Sequence, residues 1–268
     1  MQSLSHIHPF SLSSYPPLQL QTKSLSRTPG FRLSCSSSSP PKLEKEGELK
    51  PRTEYKPNWV DDFFLNSFRK KLAEEVGWDS EKSGYDGLIE LANGLMVGRT
   101  NQQTSEAAVR ILRSLFPPFV LELYKMLITP IGGGKFAAIM VARVTALTCQ
   151  WLMGPCSVNS INLPDGSSSL SGVYVERCKY LEESKCVGVC LNTCKLPTQA
   201  FFKHHMGIPL LMEPNFDDYS CQFSFGVHPP MPENDSTLRQ PCLEICPNAP
   251  RPRKDVTTTL NGKPCPRA

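Results

Sequence analysis

Seven cysteines fall between residues 178 and 246, and the three central ones are spaced four residues apart. The seven are Cys178, Cys186, Cys190, Cys194, Cys221, Cys242 and Cys246. Thiols at this density can pair as disulfides, bind a soft metal ion or supply reactive sulfur. Because disulfides depend on the redox state of the compartment, the location of the protein decides among these roles.

The N-terminus predicts a plastid transit peptide over residues 1–40. This segment contains 12 serines and no acidic residue, and Lys23, Arg27 and Arg32 are its only Lys or Arg. Serine-rich, basic and acid-poor segments are typical of organelle targeting, and serine this abundant favours a plastid over a mitochondrion. Residues 41–57 are rich in Pro, Lys and Glu and predict a disordered linker.

The positive charge of the sequence resides mostly in this leader. Residues 42–268 hold 26 of the 29 basic residues and all 25 acidic residues, so the formal charge falls from +4 to +1 once the leader is removed. No basic stripe remains in the mature chain, which argues against a nucleic-acid partner.

In a reducing stroma structural disulfides are disfavoured, so we expect the cysteines to bind a metal. Reactive thiols and simple core packing are the alternatives, and packing is the role we expect for Cys149 and Cys156. The spacing matches no standard zinc or ferredoxin motif. In one straight helix Cys186 and Cys194 would be about 12 Å apart, whereas two sulfur ligands of one zinc ion are less than about 5 Å apart. All three central thiols can therefore meet at one ion only if the helix breaks. We expect His204 and His205 to be solvated or packed rather than ligands.

The remaining sequence predicts an α+β fold, with an N-terminal helical half packed with a smaller cysteine-rich α+β unit. Apolar periodicity and capping residues predict helices over 59–76, 86–96, from Thr100 to about 116, 119–128 and 136–153, which together form a helical region at 58–157. A polar loop is predicted from Val158 to Gly172. The cysteine-rich region, 172–247, then reads as a strand at 172–180, a mainly helical stretch at 185–206 and strands at 208–213 and 219–225. A loose tail occupies 248–268.

The segment from Phe136 to Met153 is the longest apolar stretch of the chain. A membrane span needs about twenty apolar residues, and Arg143 near the centre would be costly in lipid. We therefore predict a buried core helix here, with a membrane-facing helix as the alternative.

Five segments of the C-terminal half resemble the plastid β-carotene isomerase family, the dwarf-type family whose product feeds strigolactone synthesis. They are Trp151–Pro155 (WLMGP), Val175–Glu183 (VERCKYLEE), Cys186–Pro197 (CVGVCLNTCKLP), Met212–Cys221 (MEPNFDDYSC) and Gln240–Cys246 (QPCLEIC). The resemblance covers roughly residues 135–247. Near Gly154–Cys156 and Pro164–Gly166 the sequence is more similar to a paralogue than to the founding isomerase.

The resemblance implies an iron-containing enzyme that interconverts all-trans- and 9-cis-β-carotene. Such a protein would bind a carotenoid in an apolar groove, in the stroma or on a membrane surface, with peripheral membrane contact. We expect Cys186, Cys190 and Cys194 to ligate the iron, with Cys178, Cys221, Cys242 and Cys246 as further candidates and zinc as the alternative metal.

Isomerisation requires a transient loss of double-bond character at one C=C bond. A metal centre could withdraw an electron, a thiol could add reversibly, or an acid, for which Glu213 is a weak candidate, could protonate the polyene. The rival interpretation is a non-enzymatic plastid protein, either an iron–sulfur electron carrier or a zinc-stabilised interaction module.

Overall fold

A computed structural model of the protein describes residues 58–243 and Cys246. The predicted transit peptide, linker and C-terminal tail lie outside the described residues. The α-helices are α1 (Trp59–Val76), α2 (Gly84–Met96), α3 (Asn101–Ser114), α4 (Val120–Leu127), α5 (Lys135–Thr148), α6 (Gln150–Met153), α7 (Lys179–Ser184), α8 (Val187–Val189) and α9 (Leu196–Phe201). The strands are β1 (Cys156–Asn162), β2 (Ser168–Val175), β3 (Leu210–Pro214) and β4 (Cys221–Phe225). The predicted α+β class is confirmed.

Helices α1 and α3 begin where the sequence predicts, and both begin at capping boxes. The Asn58 side chain accepts hydrogen bonds from the amides of Val60 and Asp61, and the Asp61 carboxylate accepts one from the Asn58 amide at 2.7 Å. Thr100 and Gln103 exchange the same pair of bonds at the start of α3. These bonds satisfy amide donors that an isolated helix end leaves without partners.

The helical half has its own leucine-rich core. Helices α1, α2 and α3 bury Leu72, Leu88, Leu91, Leu95 and Ile111 against one another. Trp151 and Leu152 of α6 pack against this core from the second half of the chain, so both halves contribute to it.

The predicted helix over 136–153 is divided in two at Cys149, whose backbone (φ −112°, ψ 6°) is not helical. The Thr148 hydroxyl donates to the Val144 carbonyl at 2.8 Å, a side-chain bond that commonly bends a helix. The span from Ile131 to Thr148 is long and apolar enough to cross a membrane by length and composition, and 33% of it is buried. Its buried residues are mainly alanines, Ala137, Ala138, Ala142 and Ala146 among them, and α5 packs on the sheet. The predicted core helix is therefore buried on one face only.

The prediction of a polar loop from Val158 to Gly172 is wrong, because this segment forms most of the β1–β2 hairpin. The strands pair antiparallel, with Cys156 opposite Val175. The Asp165 carboxylate accepts from the Ser167 amide at 2.9 Å, and Gly166 has a φ of 78°, so the turn occupies only the centre of the predicted loop. Serine and asparagine on β1 obscured the strand pattern, and cross-strand pairing outweighs their low strand propensity.

The four strands form an antiparallel sheet in the order β1-β2-β4-β3. The two strands predicted near 208–213 and 219–225 are confirmed as β3 and β4. Register aligns Cys156, Val175, Cys221 and Pro214 in one row across the sheet. Residues two apart along a strand point to the same face of the sheet. Met212, Phe223 and Phe225 therefore lie on the same face as this row, which is the face that carries the main core.

The chain between Cys186 and Gly207 is helical, as predicted, but it is not one straight α-helix. Two π-helical turns, Cys190–Lys195 and Phe202–Met206, flank α9. Pro197 is the second residue of α9 and has no amide hydrogen, so the carbonyl one turn earlier loses its usual donor. The wider turn before Pro197 is consistent with that missing bond, and π turns are frequent at functional sites.

Candidate active site

An apolar cavity of about 220 Å³ lies where the sheet, α6, the first π turn and the end of α3 meet. Its wall contains eight aromatic residues, namely Phe68, Phe116, Trp151, Tyr180, Phe201, Phe202, Phe223 and Phe225. Edge-to-face contacts between Phe201 and Phe202, and between Phe202 and Phe225, hold part of this wall in place. A cavity with this lining suits a hydrocarbon ligand.

Five cysteines also line the cavity: Cys149, Cys178, Cys190, Cys194 and Cys221. Four of them belong to the seven that the sequence singles out. Of the other three, Cys186 packs instead beside Met96 and Tyr180, and neither Cys242 nor Cys246 lines the cavity. The fifth thiol, Cys149, packs against the main core and faces the cavity as well.

Local backbone geometry explains which thiols meet. Cys190 and Cys194 open and nearly close one π turn, so both reach the same wall. Cys186 lies in extended backbone (φ −139°, ψ 115°) just before α8, so it does not continue the helical face of the other two. The departure from a straight helix therefore leaves Cys190 and Cys194, but not Cys186, on the cavity wall.

The remaining two cavity thiols come from distant parts of the chain. Cys178 is the N-cap residue of α7, where the nearby backbone amides of Leu181 and Tyr180 partly offset the effect of burial on the pKa of its thiol. Cys221 begins β4 beside Pro214. The fold thus brings a loop, a π turn and a strand together around one apolar space.

The cavity thiols are held in their neutral form. Burial, with smaller contributions from the neighbouring sulfurs of Cys178 and Cys149, raises the pKa of Cys194 to about 12. Burial likewise raises the pKa of Cys178, Cys190 and Cys221. A neutral thiol behaves as a small apolar group with a weak S–H donor, which is compatible with a hydrocarbon beside it.

The resemblance implies iron, which would need a group of protein ligands around one point. Thiolates suit iron, but within residues 58–243 and Cys246 no three His, Cys, Asp or Glu side chains are grouped so that they could hold one ion. His204 is exposed and His205 half-buried on the second π turn, and neither lines the cavity. In this arrangement the described residues therefore do not fit an iron centre.

One charged side chain, Lys195, reaches the cavity wall, and no sequence pattern singles it out. Lys195 is 1% exposed, and its ammonium donates to the Asp235 carboxylate at 2.5 Å and to the Thr237 hydroxyl. Burial alone would raise the pKa of Asp235, but hydrogen bonds from Lys195 and Thr237 outweigh it and lower that pKa. The pair neutralises the charge, so the aliphatic part of Lys195 can contribute to an apolar wall.

The weak acid candidate, Glu213, lies elsewhere. It is exposed on β3, whereas its neighbours Met212 and Pro214 line the cavity, because adjacent strand residues point to opposite faces. Tyr180 is the one phenol of the wall; burial raises its pKa, and its hydroxyl is hydrogen-bonded to that of Thr193 at 2.8 Å. We therefore assign no general acid to Glu213.

Comparison with known proteins follows the same region of the chain. Residues 151–234 match the family described as beta-carotene isomerase D27-like, C-terminal, an interval that contains four of the five cavity thiols. A protein of Medicago truncatula named beta-carotene isomerase D27, chloroplastic, is 34% identical over 201 residues, which cover 75% of this chain and 78% of that one. The protein of the same name from Arabidopsis thaliana is 35% identical over 192 residues, covering 69% and 71%. No solved structure matches.

Both relatives are named as chloroplastic proteins, which confirms the plastid location that the N-terminal composition predicts. Their similarity extends well beyond the cysteine-rich segments, over more than two thirds of each relative. The chain belongs to the β-carotene isomerase D27 family.

Proposed function

We propose that this protein is a cis–trans isomerase of β-carotene and that the polyene binds in the cysteine-lined cavity. The observation that carries the proposal is the cavity itself, an apolar space walled by aromatic rings and neutral thiols, most of which lie within the interval that matches the isomerase family. A hydrocarbon offers no polar group to recognise, so shape and apolar contact must provide its affinity.

The volume of the cavity is too small to hold the whole C40 substrate. Ligand pockets for drug-sized molecules hold about 300–1,000 Å³, and this one measures about 220 Å³. It therefore accommodates one section of the C40 chain, and the rest extends toward the surface beside Leu115 and Phe116, which line the cavity and are exposed. This arrangement would select one double bond of the polyene for reaction.

The described residues supply one balanced route for isomerisation. A thiol can add across a C=C bond, with sulfur bonding to one carbon and the thiol hydrogen moving to the other. Rotation about the resulting single bond and loss of the same thiol then restore the alkene in the other geometry, with no net oxidation. Cys190 and Cys194 are our candidates for this role because both line the cavity from one π turn.

The cysteine-ligated iron centre remains a separate proposal. Its candidate ligands are the four predicted thiols that line the cavity, Cys178, Cys190, Cys194 and Cys221, and soft sulfur ligands support that choice. A bound iron would supply reversible one-electron chemistry. Because the described thiols do not form a group of three around one ion, binding would require them to move closer together.

Turnover of the purified protein tests the proposal. The protein, prepared without oxygen, is added to all-trans- or 9-cis-β-carotene in micelles, and the isomers are separated by chromatography. Isomer ratios that converge from both directions, faster than with heat-treated protein, are the expected result. An unchanged ratio from both starting isomers would refute the proposed activity.

Cysteine variants separate the two chemical routes. Cys190→Ala and Cys194→Ala should lose most turnover, whereas Cys242→Ala, which changes a thiol outside the cavity, should retain it. Iron content is measured on the same samples. Loss of iron together with turnover supports the metal centre, and loss of turnover at constant iron content supports direct action of the thiol.

A further inference from the structure

A concentrated apolar surface surrounds α4. Eighteen large hydrophobic residues are exposed among the described residues, and eight of them lie between 115 and 131. We call these eight the docking face: Leu115, Phe116, Phe119, Val120, Leu123, Met126, Leu127 and Ile131. Exposed apolar patches of this density mark binding surfaces rather than ordinary protein surface.

Helix α4 has two apolar sides. Leu121, Tyr124 and Ile128 pack against the main core and anchor the helix. At about 100° per residue, Phe119, Val120, Leu123, Met126 and Leu127 occupy an arc of about 120° on the opposite side. A surface helix of a soluble protein normally carries one apolar stripe, facing its own core. The second stripe has no partner among the described residues.

At the start of α4, Phe119 combines a strained backbone with an exposed aromatic ring. Phe119 follows Pro117 and Pro118 and adopts a φ of 66°, although its side chain is 75% exposed. A bulky residue in the left-handed region is a conformational outlier. Solvent contact by Phe119 offers no compensation for this strain, whereas burial of the ring in an apolar partner would.

Charge around the docking face has one dominant sign. Between residues 107 and 164 the sequence contains five basic residues and a single acidic residue, Glu122. Arg113 and Lys125 act electrostatically on His205, and Lys125 donates to the His204 carbonyl. Lys203 is exposed on the same π turn, which packs on α4. None of these three cations has an ion-pair partner in the part of the chain that the structure describes.

We propose that the docking face inserts into the surface of a lipid bilayer that contains anionic headgroups. The apolar arc of α4 would enter the boundary between headgroups and acyl chains, and Arg113, Lys125 and Lys203 would contact the headgroups. A symmetric dimer through the same face would instead bring these cations close to their own copies, an unfavourable arrangement. Charge therefore favours lipid over a second copy of the chain.

The docking face is continuous with the cavity wall. Leu115 and Phe116 belong both to the docking face and to the cavity wall, and Phe116 stacks on Phe201 inside the cavity. An apolar path thus runs from α4 into the cavity. This second step rests on the proposed function, because it concerns a substrate dissolved in the membrane, whereas docking itself does not.

Vesicle binding without any carotenoid tests the docking, so its result is independent of turnover. The full chain is mixed with vesicles of phosphatidylcholine alone, or of phosphatidylcholine and phosphatidylglycerol in equal parts, and bound protein is measured by flotation. We expect binding to the mixed vesicles. The Leu123→Asp/Met126→Asp variant should bind at least about tenfold more weakly, because two apolar side chains leave the interface.

A matched pair elsewhere provides the control. Met231 is 63% exposed and Met126 is 64% exposed, and Leu170 is similarly exposed to Leu123. Leu170→Asp/Met231→Asp introduces the same charges outside the docking face and should bind vesicles like the unmodified chain. Thermal melts of both variants verify that each is folded.

A further variant tests the charges. Arg113→Gln/Lys203→Gln should reduce binding to the mixed vesicles by more than about tenfold and leave binding to phosphatidylcholine unchanged, since each cation near an anionic surface contributes about fivefold. Lys70→Gln, at an exposed lysine of α1, is its control.

Three outcomes would overturn the proposal. The unmodified chain binds neither vesicle type, or the two Asp variants lose binding equally, or light scattering shows a dimer that Leu123→Asp/Met126→Asp alone dissociates. The last result would assign the docking face to self-association.

Discussion

The cavity wall and the docking face are both apolar surfaces that the described residues leave partly uncovered, but they are built differently. The wall is buried or half-buried apart from Leu115 and Phe116, and its single charge, on Lys195, is neutralised by Asp235. The docking face is exposed, begins at a strained residue and is surrounded by cations without ion-pair partners among the described residues. The wall therefore contributes to folding, whereas the docking face is maintained at the expense of stability.

The largest expected effect of a single change is at the charge within the wall. Asp235→Ala leaves the Lys195 ammonium buried without its carboxylate, which should cost about 3–5 kcal/mol of unfolding free energy. Chemical denaturation measures it. Replacing both residues, as Lys195→Met/Asp235→Leu, should recover most of the loss, and a double variant as unstable as the single one would contradict this explanation.

The same pair predicts a pH dependence. Because hydrogen bonds lower the pKa of Asp235 in the folded state, its stabilisation is present above the unfolded pKa of about 3.9 and is lost as the pH falls through the folded value. Acid unfolding of the unmodified chain should therefore show a component below about pH 4 that the Asp235→Asn variant lacks. Identical acid-unfolding profiles would exclude Asp235 as its source.

Two methionines compare the wall and the docking face directly. Met212 lines the cavity and is 2% exposed, whereas Met126 on α4 is 64% exposed. Met212→Ala should destabilise the protein by about 2–5 kcal/mol, and Met126→Ala should change its stability by no more than about 0.5 kcal/mol. Equal losses would mean that α4 is covered within the free protein.

Local chemistry made parts of this fold predictable from sequence. The capping residues Asn58 and Thr100 mark their helix starts because each bonds to amides no more than three residues away. The turn at Asp165 lies inside the predicted polar loop, but β1 was not predicted, and the strand predicted at 172–180 overlaps only the last four residues of β2. Their stability comes from pairing between chain segments, to which a serine-rich strand contributes little visible pattern.

The candidate site was predictable in its residue types but not in its assembly. Four of the seven selected cysteines line the cavity, and Cys149, assigned to packing, joins them. The spacing showed that one straight helix could not bring the three central thiols together, but the π turn at Cys190–Lys195 and the extended Cys186 decide which thiols meet. The partnership of Lys195 and Asp235 spans 40 residues, and no local pattern in the sequence connects them.

The helix starts on either side of the Pro117–Pro118 pair provide a smaller test. Helix α3 has a capping box at Thr100, whereas α4 starts at Phe119 with no side-chain cap. Thr100→Ala should cost about 1 kcal/mol, the usual value for losing an N-cap hydroxyl, and Thr100→Ser should restore it. Denaturation midpoints measure both. If Thr100→Ala does not change the unfolding free energy, the cap hydrogen bonds are no stronger than the hydrogen bonds that water would make to the same amides.

The smallest effect has the opposite sign and separates stability from binding. Phe119→Gly removes the strain of a left-handed conformation, which costs residues other than glycine roughly 1–2 kcal/mol. Glycine also makes the unfolded chain more flexible, which lowers the stability of the folded state by about 0.4–1 kcal/mol. The variant should thus be more stable by about 0.5 kcal/mol, and it should bind anionic vesicles more weakly because an aromatic ring is lost. A melting curve and a flotation assay on one sample measure both quantities. A residue that served only the fold could not, on removal, raise stability and lower vesicle binding together. If Phe119→Gly instead lowers both the stability and the vesicle binding, the strain at Phe119 no longer supports the docking proposal.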